Sequence, residues 1–371
     1  MRRFQFELAE PQDDADLRHV LAATPMEGAI SIAFAREPSY FAAAEVDGDV
    51  VQVGVVRDRN TGRVIGMGSR AISNHFVNGR QRPVGYLSGL RLLPEYRGRG
   101  GLLARGYAFL RELHRDGRAP YYLTTITEDN APALRLLASQ RAGLPVYHYL
   151  GRYATLVLKR STARHPKADP PIQVRAAKAS DRDRIVTFLM RHGIRRQFFP
   201  ALRAGDLFTD HGRLRRLDPC DTLLAFRGDA LVGTLGFWNQ SAFKQTMVTG
   251  YQPWLRAVRP VYNGWARCRR LPRLPAPGER VRSVYGAIPV VRDDDPDVLR
   301  RLLASSPPPH RGAENDAILL GLFETDPLLP VARRYAVRRY VTRLYVVYWK
   351  EHAPDMNELI CRVPYLELGC L

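Results

Sequence analysis

The sequence is poor in cysteine and has no long apolar run. Its four cysteines all lie in the second half, none in a Cys-x-x-Cys pair. This excludes a disulfide framework and favours a reducing, cytoplasmic setting. The nine histidines are scattered without the spacing of metal ligands, so we predict no metal site. No apolar run reaches roughly 18 residues, and the N-terminus turns acidic early, so neither a membrane span nor a signal peptide is predicted.

Lysine is also scarce, whereas arginine is abundant. Lysine and arginine together number 56 against 37 acidic residues, a formal net charge of +19, yet only five of these cations are lysines. Such a bias is typical of a GC-rich coding sequence. The excess is +6 over residues 1–160 and +13 over residues 161–371. Although a basic chain raises the question of nucleic acid, we therefore do not expect a nucleic-acid partner.

The order of predicted strands and helices repeats once along the chain. The first half reads as a strand, two helices (the second over about 27–43), three strands, a helix, a strand, a helix and more strand up to residue 158. Residues 160–171 are polar and proline-rich, as expected of a linker. A similar order recurs over residues 172–349 with little sequence identity. We predict domains at 1–160 and 172–371, joined by a linker at 161–171.

The segment from Leu90 to Leu113 is the most informative of the chain. It reads as a strand, then Arg97-Gly98-Arg99-Gly100-Gly101, then a helix that begins near Leu102. Glycines let backbone N–H groups approach a ligand closely, and a helix N-terminus adds partial positive charge, so the turn can bind a pyrophosphate. Arg97 and Arg99 can add direct phosphate contacts.

Three nucleotide-binding motifs compete for this turn. A P-loop requires Gly-Lys-Ser/Thr, and the turn has no lysine. A dinucleotide fingerprint follows the first strand, whereas this turn follows the third or fourth. The turn, with Leu92-Leu93-Pro94-Glu95 before it, resembles the Arg/Gln-x-x-Gly-x-Gly/Ala motif of the acyl-CoA-dependent acetyltransferase superfamily, the GNAT proteins. This chain departs from the motif at its last position, where Leu102 replaces the small residue and Gly101 lies one residue earlier.

A second segment agrees with this resemblance. The superfamily has Asn-x-x-Ala-x-x-Leu-Tyr after its fifth strand, and this chain matches it at Asn130, Ala133 and Leu136. The resemblance implies that Asn130 and Ala133 lie near the pantetheine of coenzyme A. Leu137 replaces the tyrosine that often protonates the leaving thiolate. Tyr147 is then a candidate acid, with Tyr149 as the alternative.

The resemblance implies transfer of an acyl group from coenzyme A to an amine. The thioester carbonyl must be polarised, the ammonium deprotonated and the thiolate stabilised. Backbone N–H groups near Leu90 and Leu92 are the expected carbonyl donors. Tyr86 stands where the superfamily often has a glutamate base, so Glu128 is the preferred candidate, ahead of two other glutamates, Glu27 and Glu37. Some tandem members use the terminal carboxylate instead, which here belongs to Leu371.

The second half has no glycine-rich turn at the comparable place. It reads Val291-Arg292-Asp293-Asp294-Asp295-Pro296, and three carboxylates repel a pyrophosphate. We therefore predict a degenerate second copy that does not bind coenzyme A. A stretch at 254–282 carries eight arginines and one glutamate, interleaved with aromatic residues. It fits an acidic carrier protein, a membrane surface, nucleic acid, or merely a solvated surface.

The prediction is an α/β (α+β) protein of two tandem GNAT domains, each a mixed, mostly antiparallel sheet flanked by helices. The expected activity is N-acetylation of a small-molecule or peptide amine with acetyl-CoA as donor. Two alternatives stay open. One is a longer-chain acyltransferase using fatty acyl-CoA or an acyl carrier protein, and the other is a non-catalytic acyl-CoA sensor or scaffold.

Overall fold

The computed structural model describes residues 3–98, 101–137, 143–158, 171–269, 271–305 and 317–371. The strands are β1 Phe4–Leu8, β2 Ile30–Ala35, β3 Val50–Asp58, β4 Val64–Val77, β5 Arg80–Leu92, β6 Tyr122–Thr127, β7 Val146–Leu158, β8 Gln173–Ala176, β9 Phe199–Pro200, β10 Thr222–Arg227, β11 Ala230–Trp238, β12 Gln245–Tyr251, β13 Ser283–Val291, β14 Ala317–Phe323 and β15 Ala336–Tyr348. The α-helices are α1 Asp14–Ala23, α2 Tyr40–Ala44, α3 Leu102–His114, α4 Ala131–Leu137, α5 Arg182–Gly193, α6 Pro253–Arg269, α7 Pro296–Ala304, α8 Leu329–Arg333 and α9 Met356–Ile360.

A single mixed sheet runs through the protein. Twelve of its strands follow the order β1-β3-β4-β5-β6-β15-β7-β14-β13-β11-β10-β8, and β9 pairs with β4. Among the described strands, the pairs β5–β6 and β13–β14 are parallel, whereas the other neighbours in the sheet are antiparallel. The prediction of a mostly antiparallel mixed sheet with flanking helices is confirmed.

The order of parallel and antiparallel strand pairs is the same from either edge of the sheet towards its centre. From each edge, three antiparallel pairs lead to one parallel pair and then to one more antiparallel pair. At the centre, β15 from late in the chain lies between β6 and β7, while β7 from the first half pairs with β14. The predicted segments 1–160 and 172–371 therefore share one sheet, because each lends a strand to the other's side. Most of the predicted linker lies outside the described residues.

A second, two-stranded sheet also joins early and late parts of the chain. In it β2 pairs antiparallel with β12, with Phe34 opposite Thr246. The helix predicted over about 27–43 is therefore wrong. The β-branched residues Ile30 and Ile32 favour a strand, and Pro38 disfavours a helical conformation for the residue before it. The helical part is confined to α2.

Apolar side chains on both faces of the large sheet form the core. Leu17 of α1, Ile185 and Leu189 of α5 and Leu302 of α7 are fully buried, and burial of each such side chain contributes about 1.5–3 kcal/mol. These helices therefore pack their apolar side chains on the sheet. Among the described residues, no helix is both long and apolar enough to cross a membrane.

Candidate active site

The turn between β5 and α3 has a backbone that needs glycine. After β5 a short 3-10 turn, Pro94–Tyr96, leads to Gly98 (φ 75°) and then Gly101 (φ 79°), which directly precedes α3. Both glycines have left-handed backbones that residues with a Cβ rarely adopt. A Cβ built on either one would meet no atom within 4 Å, so the turn is open on that side. Arg99 and Gly100 of the predicted motif lie outside the described residues.

The N-terminus of α3 is free of side-chain caps and of acidic residues. Gly101 precedes the helix without a capping side chain, and the first turn holds no carboxylate. Arg111 and His114 lie in the last turn, where cations interact favourably with the helix dipole. Among the described residues, no side chain accepts from the first amides of α3, which point towards the turn, and such an arrangement binds anions. Arg97 is exposed at the edge of this turn.

A bulge in β5 lies just before the turn. The register between β4 and β5 shifts between Met67 and Ser69, and Gly89 at the bulge has φ 63°. The amide of Leu93 donates to the carbonyl of Ile65 in β4, 2.8 Å away. Because N–H groups alternate in direction along a strand, the N–H of Leu92 points away from β4, towards β6.

The parallel strands β5 and β6 separate before this bulge. They pair only at Gly85 with Tyr122 and at Tyr86 with Leu123, although both strands continue further. Thr124 Oγ1 donates to the carbonyl of Leu87 at 2.8 Å and marks the closed end of the gap. Backbone N–H groups of β5 past this point face a gap between the strands, where an elongated ligand can accept hydrogen bonds.

Tyr86 and Leu90 of β5, beside this gap, carry no charge. Tyr86 stands where a glutamate base was considered, and its hydroxyl lies 2.8 Å from Thr125 Oγ1. Burial raises the pKa of the Tyr86 phenol to about 12, so it is protonated at neutral pH. Leu90 is half exposed on β5, and Leu102 is buried below the turn, so it contributes only its backbone to the turn.

Glu128, the preferred candidate base, follows the end of β6 and is held by two arginines. Its Oε1 accepts from Arg152 Nε at 2.8 Å and from Arg343 Nε at 3.3 Å. The hydrogen bond from Arg152 in particular lowers the pKa of the Glu128 carboxyl below its usual value. A carboxylate so stabilised is a weak proton acceptor, and these contacts favour a role in joining β6, β7 and β15.

Tyr147, the candidate acid, lies in an apolar cluster and bonds to another tyrosine. Its hydroxyl hydrogen-bonds that of Tyr107 on α3. Burial, together with the neighbouring Tyr107, raises the pKa of the Tyr147 phenol well above its ordinary value. Leu137 is buried in the same cluster, so this region packs α3 and α4 on the sheet. The alternative, Tyr149, is half exposed beside Arg343.

Asn130 and Ala133 lie at the start of α4. Asn130 Oδ1 accepts from the backbone N–H of Ala133 at 3.1 Å, as an N-cap side chain does. Asn130 therefore has a structural role at the start of this helix, and its place near the pantetheine stays a prediction. Ala133 packs on the cluster that holds Leu137.

The last residues of the chain are docked inside the fold. Leu371 packs against a cluster that includes Val84 of β5 and Leu123 of β6, the two strands that separate. Nearby, Tyr153 Oη donates to the carbonyl of Leu366 at 2.8 Å. The tail thus packs on a cluster to which β5 and β6 each contribute a side chain. The role of the Leu371 carboxylate stays a prediction.

The turn after β13 repeats the backbone plan of the turn after β5, but carboxylates occupy it. The register between β11 and β13 shifts near Ile288, which has φ 45°. Glu367 Oε2 accepts from the N–H of Ile288 at 2.9 Å and from Tyr365 Oη at 2.6 Å. Burial raises the pKa of Glu367 to about 7. At the start of α7, Asp295 caps the amide of Asp297 at 2.8 Å.

Sequence reasoning missed the contact between Glu367 and Ile288. Its only signal was a glutamate within the apolar tail Tyr365–Leu371. It also missed a buried ion cluster, in which Asp47 accepts from Arg36 at 2.7 Å and from Lys244 at 2.7 Å. Burial tends to raise the pKa of Asp47, but Lys244 and Arg36 outweigh it and lower that pKa. This cluster ties the α2 region to the β11–β12 connection.

No protein-family model and no curated protein matches this sequence. Solved structures do match its fold. N-myristoyltransferase of Saccharomyces cerevisiae with bound myristoyl-CoA has a TM-score of 0.58 at 10% identity, over 94% of this chain and 83% of that one. A probable N-acyltransferase of Enterococcus faecalis has a TM-score of 0.52 at 11% identity, over 93% and 72%. A GCN5-related N-acetyltransferase of Anabaena variabilis also has 0.52 at 11% identity, over 92% and 72%.

These identities are low, so the likeness concerns the fold. It agrees with the bulged strand, the parallel pair that separates, and the glycine-rich turn into α3. The resemblance read from residues 90–113 and 130–137 is confirmed at the level of architecture: the protein has the GCN5-related N-acetyltransferase (GNAT) fold.

Proposed function

We propose that this protein is an acyl-CoA-dependent N-acyltransferase. The observation that carries the proposal is the continuity of three features: the uncapped N-terminus of α3, the open glycine turn before it, and the gap between β5 and β6. Together they offer amides for a pyrophosphate and a channel for an extended pantetheine arm. The coenzyme A site would consist of Arg97, Gly98, Arg99, Gly100, Gly101, Leu102, Leu90, Leu92, Asn130 and Ala133.

The backbone of β5 would polarise the thioester. The N–H groups of Leu92 and Leu90 lie on the strand that borders the gap, and amides held in a rigid strand stabilise a developing oxyanion without reorganisation. Rate enhancement in this site would therefore come mainly from positioning and from electrostatic stabilisation. These donors belong to the backbone, so side-chain substitutions at Leu90 and Leu92 would alter packing more than chemistry.

Deprotonation of the amine requires a general base, and the described candidate side chains are poorly suited to that role. Glu128 is paired with two arginines, and Tyr86 and Tyr147 are protonated phenols. The Leu371 carboxylate stays a candidate base, since Leu371 packs on a cluster that includes residues of β5 and β6. Adding one residue after Leu371 would then abolish turnover and leave coenzyme A binding intact, whereas unchanged turnover would exclude this role.

We propose acetyl-CoA as the donor and a small-molecule or peptide amine as the acceptor. A longer acyl chain is the second candidate, because N-myristoyltransferase with bound myristoyl-CoA shares the fold at a TM-score of 0.58. Mass spectrometry of the acyl-CoA that co-purifies with the protein separates the two. A two-carbon acyl group supports the first candidate, and a fatty acyl group supports the second.

We further propose that the chain consists of two copies of one fold, at residues 1–160 and 172–371, that exchange β7 and β15. The mirrored strand order supports this division. The second copy would not bind coenzyme A, since Glu367 and Asp295 already occupy its bulge amide and its helix N-terminus.

The activity is tested by following release of free coenzyme A thiol from acetyl-CoA and from longer acyl-CoA esters in the presence of a panel of amines. Amine-dependent release that is lost in the Gly101→Val variant supports the proposal. Tight binding of acyl-CoA without release by any amine would contradict catalysis and favour a sensor.

A further inference from the structure

Helix α6 presents a stripe of apolar side chains to solvent. Trp254, Val258, Val261 and Trp265 are 59%, 46%, 78% and 51% exposed. Their spacing of four, three and four residues places them on one face of a helix. Large side chains of this kind are rarely left exposed in a row without a partner surface. The sequence had shown the aromatic residues of this stretch but not their alignment.

A neighbouring face of α6 is fixed to the protein. Leu255 and Ala266 are buried, and the segment that follows the helix runs back along it. Asn263 makes two hydrogen bonds to the backbone of Leu274, at 2.9 and 2.8 Å, and Tyr262 Oη donates to the carbonyl of Pro272 at 3.0 Å. The exposed stripe is therefore held on a rigid support and stays on the outside.

The charge around the stripe has one sign. Helix α6 carries four arginines and no acidic residue, and three of them, Arg256, Arg267 and Arg269, are exposed. Among the described residues, none of these three forms an ion pair with a carboxylate. Arg338 of β15 lies close to Tyr262 and adds a further cation beside the helix. The exposed surface of α6 thus combines an apolar stripe with a polar side whose charged residues are arginines.

We propose that α6 is a membrane-surface helix that docks the protein on an anionic phospholipid bilayer. A helix with an apolar stripe and arginines on its polar side lies in the plane of the headgroups, where the arginines contact lipid phosphates. The two tryptophans lie about 16 Å apart along the helix axis, and indole rings prefer the headgroup boundary. A second copy of this chain is disfavoured as the occupant, because two α6 helices would bring their arginines together.

Sedimentation with vesicles tests this proposal on the full chain. We expect binding to vesicles of phosphatidylcholine with phosphatidylglycerol and little binding to phosphatidylcholine alone. Trp254→Ser combined with Trp265→Ser should weaken binding by about tenfold or more. Arg256→Gln combined with Arg267→Gln should weaken it by about fivefold for each arginine. Ile360→Ser, which removes another exposed apolar side chain outside α6, is the matched control and should bind as the original chain does.

Tryptophan fluorescence provides a second readout. Trp238 and Trp349 are buried, so a vesicle-induced blue shift of the emission reports on Trp254 and Trp265. No shift and no sedimentation with anionic vesicles would overturn the proposal. Equal binding to neutral vesicles would overturn its electrostatic part. Self-association that depends on Trp254 and Trp265 in solution, or capture of an acidic carrier protein without vesicle binding, would also overturn it.

Discussion

The protein contains two places where a bulged strand leads through a tight turn into a helix: β5 into α3, and β13 into α7. In both, the strand is parallel to its neighbour for only two or three residues. The two differ in what lies at the amides. The first turn has glycines and no carboxylate at its helix N-terminus, whereas the second has Asp295 at its helix and Glu367 at its bulge.

This difference shows that the backbone frame alone does not make an anion site. Amides at a helix N-terminus bind an anion only if no side chain of the protein already accepts from them. In the second turn the protein supplies its own acceptors, and Asp293 and Asp294 form ion pairs with Arg195 and Arg196. The first turn is left open, so we assign coenzyme A binding to it alone.

The largest effect is expected for Gly101→Val. The valine would have to adopt φ 79° and would cover the open side of the turn, so several amide–phosphate hydrogen bonds of about 1.5–3 kcal/mol each would be lost. We expect coenzyme A affinity, measured by calorimetry, to fall by about a hundredfold or more. Gly117→Val is the control, because Gly117 has φ 66° with open space just past the other end of α3. Equal loss in both variants would refute the assignment.

A smaller effect is expected for Arg97→Glu. Arg97 is exposed, so its reversal should leave the melting temperature unchanged. A lost charge-assisted hydrogen bond to phosphate costs about 1.5–3 kcal/mol, which corresponds to about a 10- to 150-fold weaker affinity for coenzyme A. Arg292→Glu makes the same change at the second turn and should alter the affinity less than about twofold. If Arg292→Glu has the larger effect, the two turns have been assigned in the wrong order.

The pH dependence of stability should reveal Glu367. Its folded-state pKa of about 7 lies above the ordinary value of 4.5, so folding favours the protonated acid. The stability it contributes is fully present below about pH 4.5 and is lost as the pH rises through about 7, by about 3 kcal/mol at most. Glu367→Gln should flatten the melting temperature over this range. Glu112→Gln, at an exposed carboxylate on α3, should not, and a wild-type curve without this slope would contradict the buried acid.

The smallest effect is expected for Tyr147→Phe. The substitution leaves the buried hydroxyl of Tyr107 without its partner, which costs about 1–3 kcal/mol of stability. Turnover should change less than about threefold, because the phenol packs α3 against β7. Tyr107→Phe combined with Tyr147→Phe should recover part of the stability. A hundredfold loss of turnover in Tyr147→Phe with unchanged stability would restore the tyrosine to the role of general acid.

The fold was predictable where a local pattern determined the structure. The start of α3 at Leu102 and the end of β7 at Leu158 both follow from short-range signals in glycine, charge and apolar alternation. The strand order at the centre of the sheet was not predictable in this way. Placement of β15 between β6 and β7 depends on pairing between strands about 190 residues apart, for which one sequence carries no local signal.

The candidate site was predictable in its backbone part and less so in its side chains. The motif located the helix N-terminus, since glycine and an uncapped start are visible in the sequence. The arginine partners of Glu128 and the burial of Tyr147 arise from tertiary packing. The same holds for Glu367, whose partner amide in β13 lies 79 residues away. Glu128 and Glu367 both show that the position of a glutamate in the sequence does not reveal which groups hydrogen-bond to its carboxyl.

Calorimetric titration with coenzyme A tests the central claim most directly, because it counts the sites per chain. The account predicts one site per chain, abolished by Gly101→Val and unaffected by Arg292→Glu. Two sites per chain would contradict the self-occupied turn after β13, and no binding at all would contradict the assignment of the turn after β5.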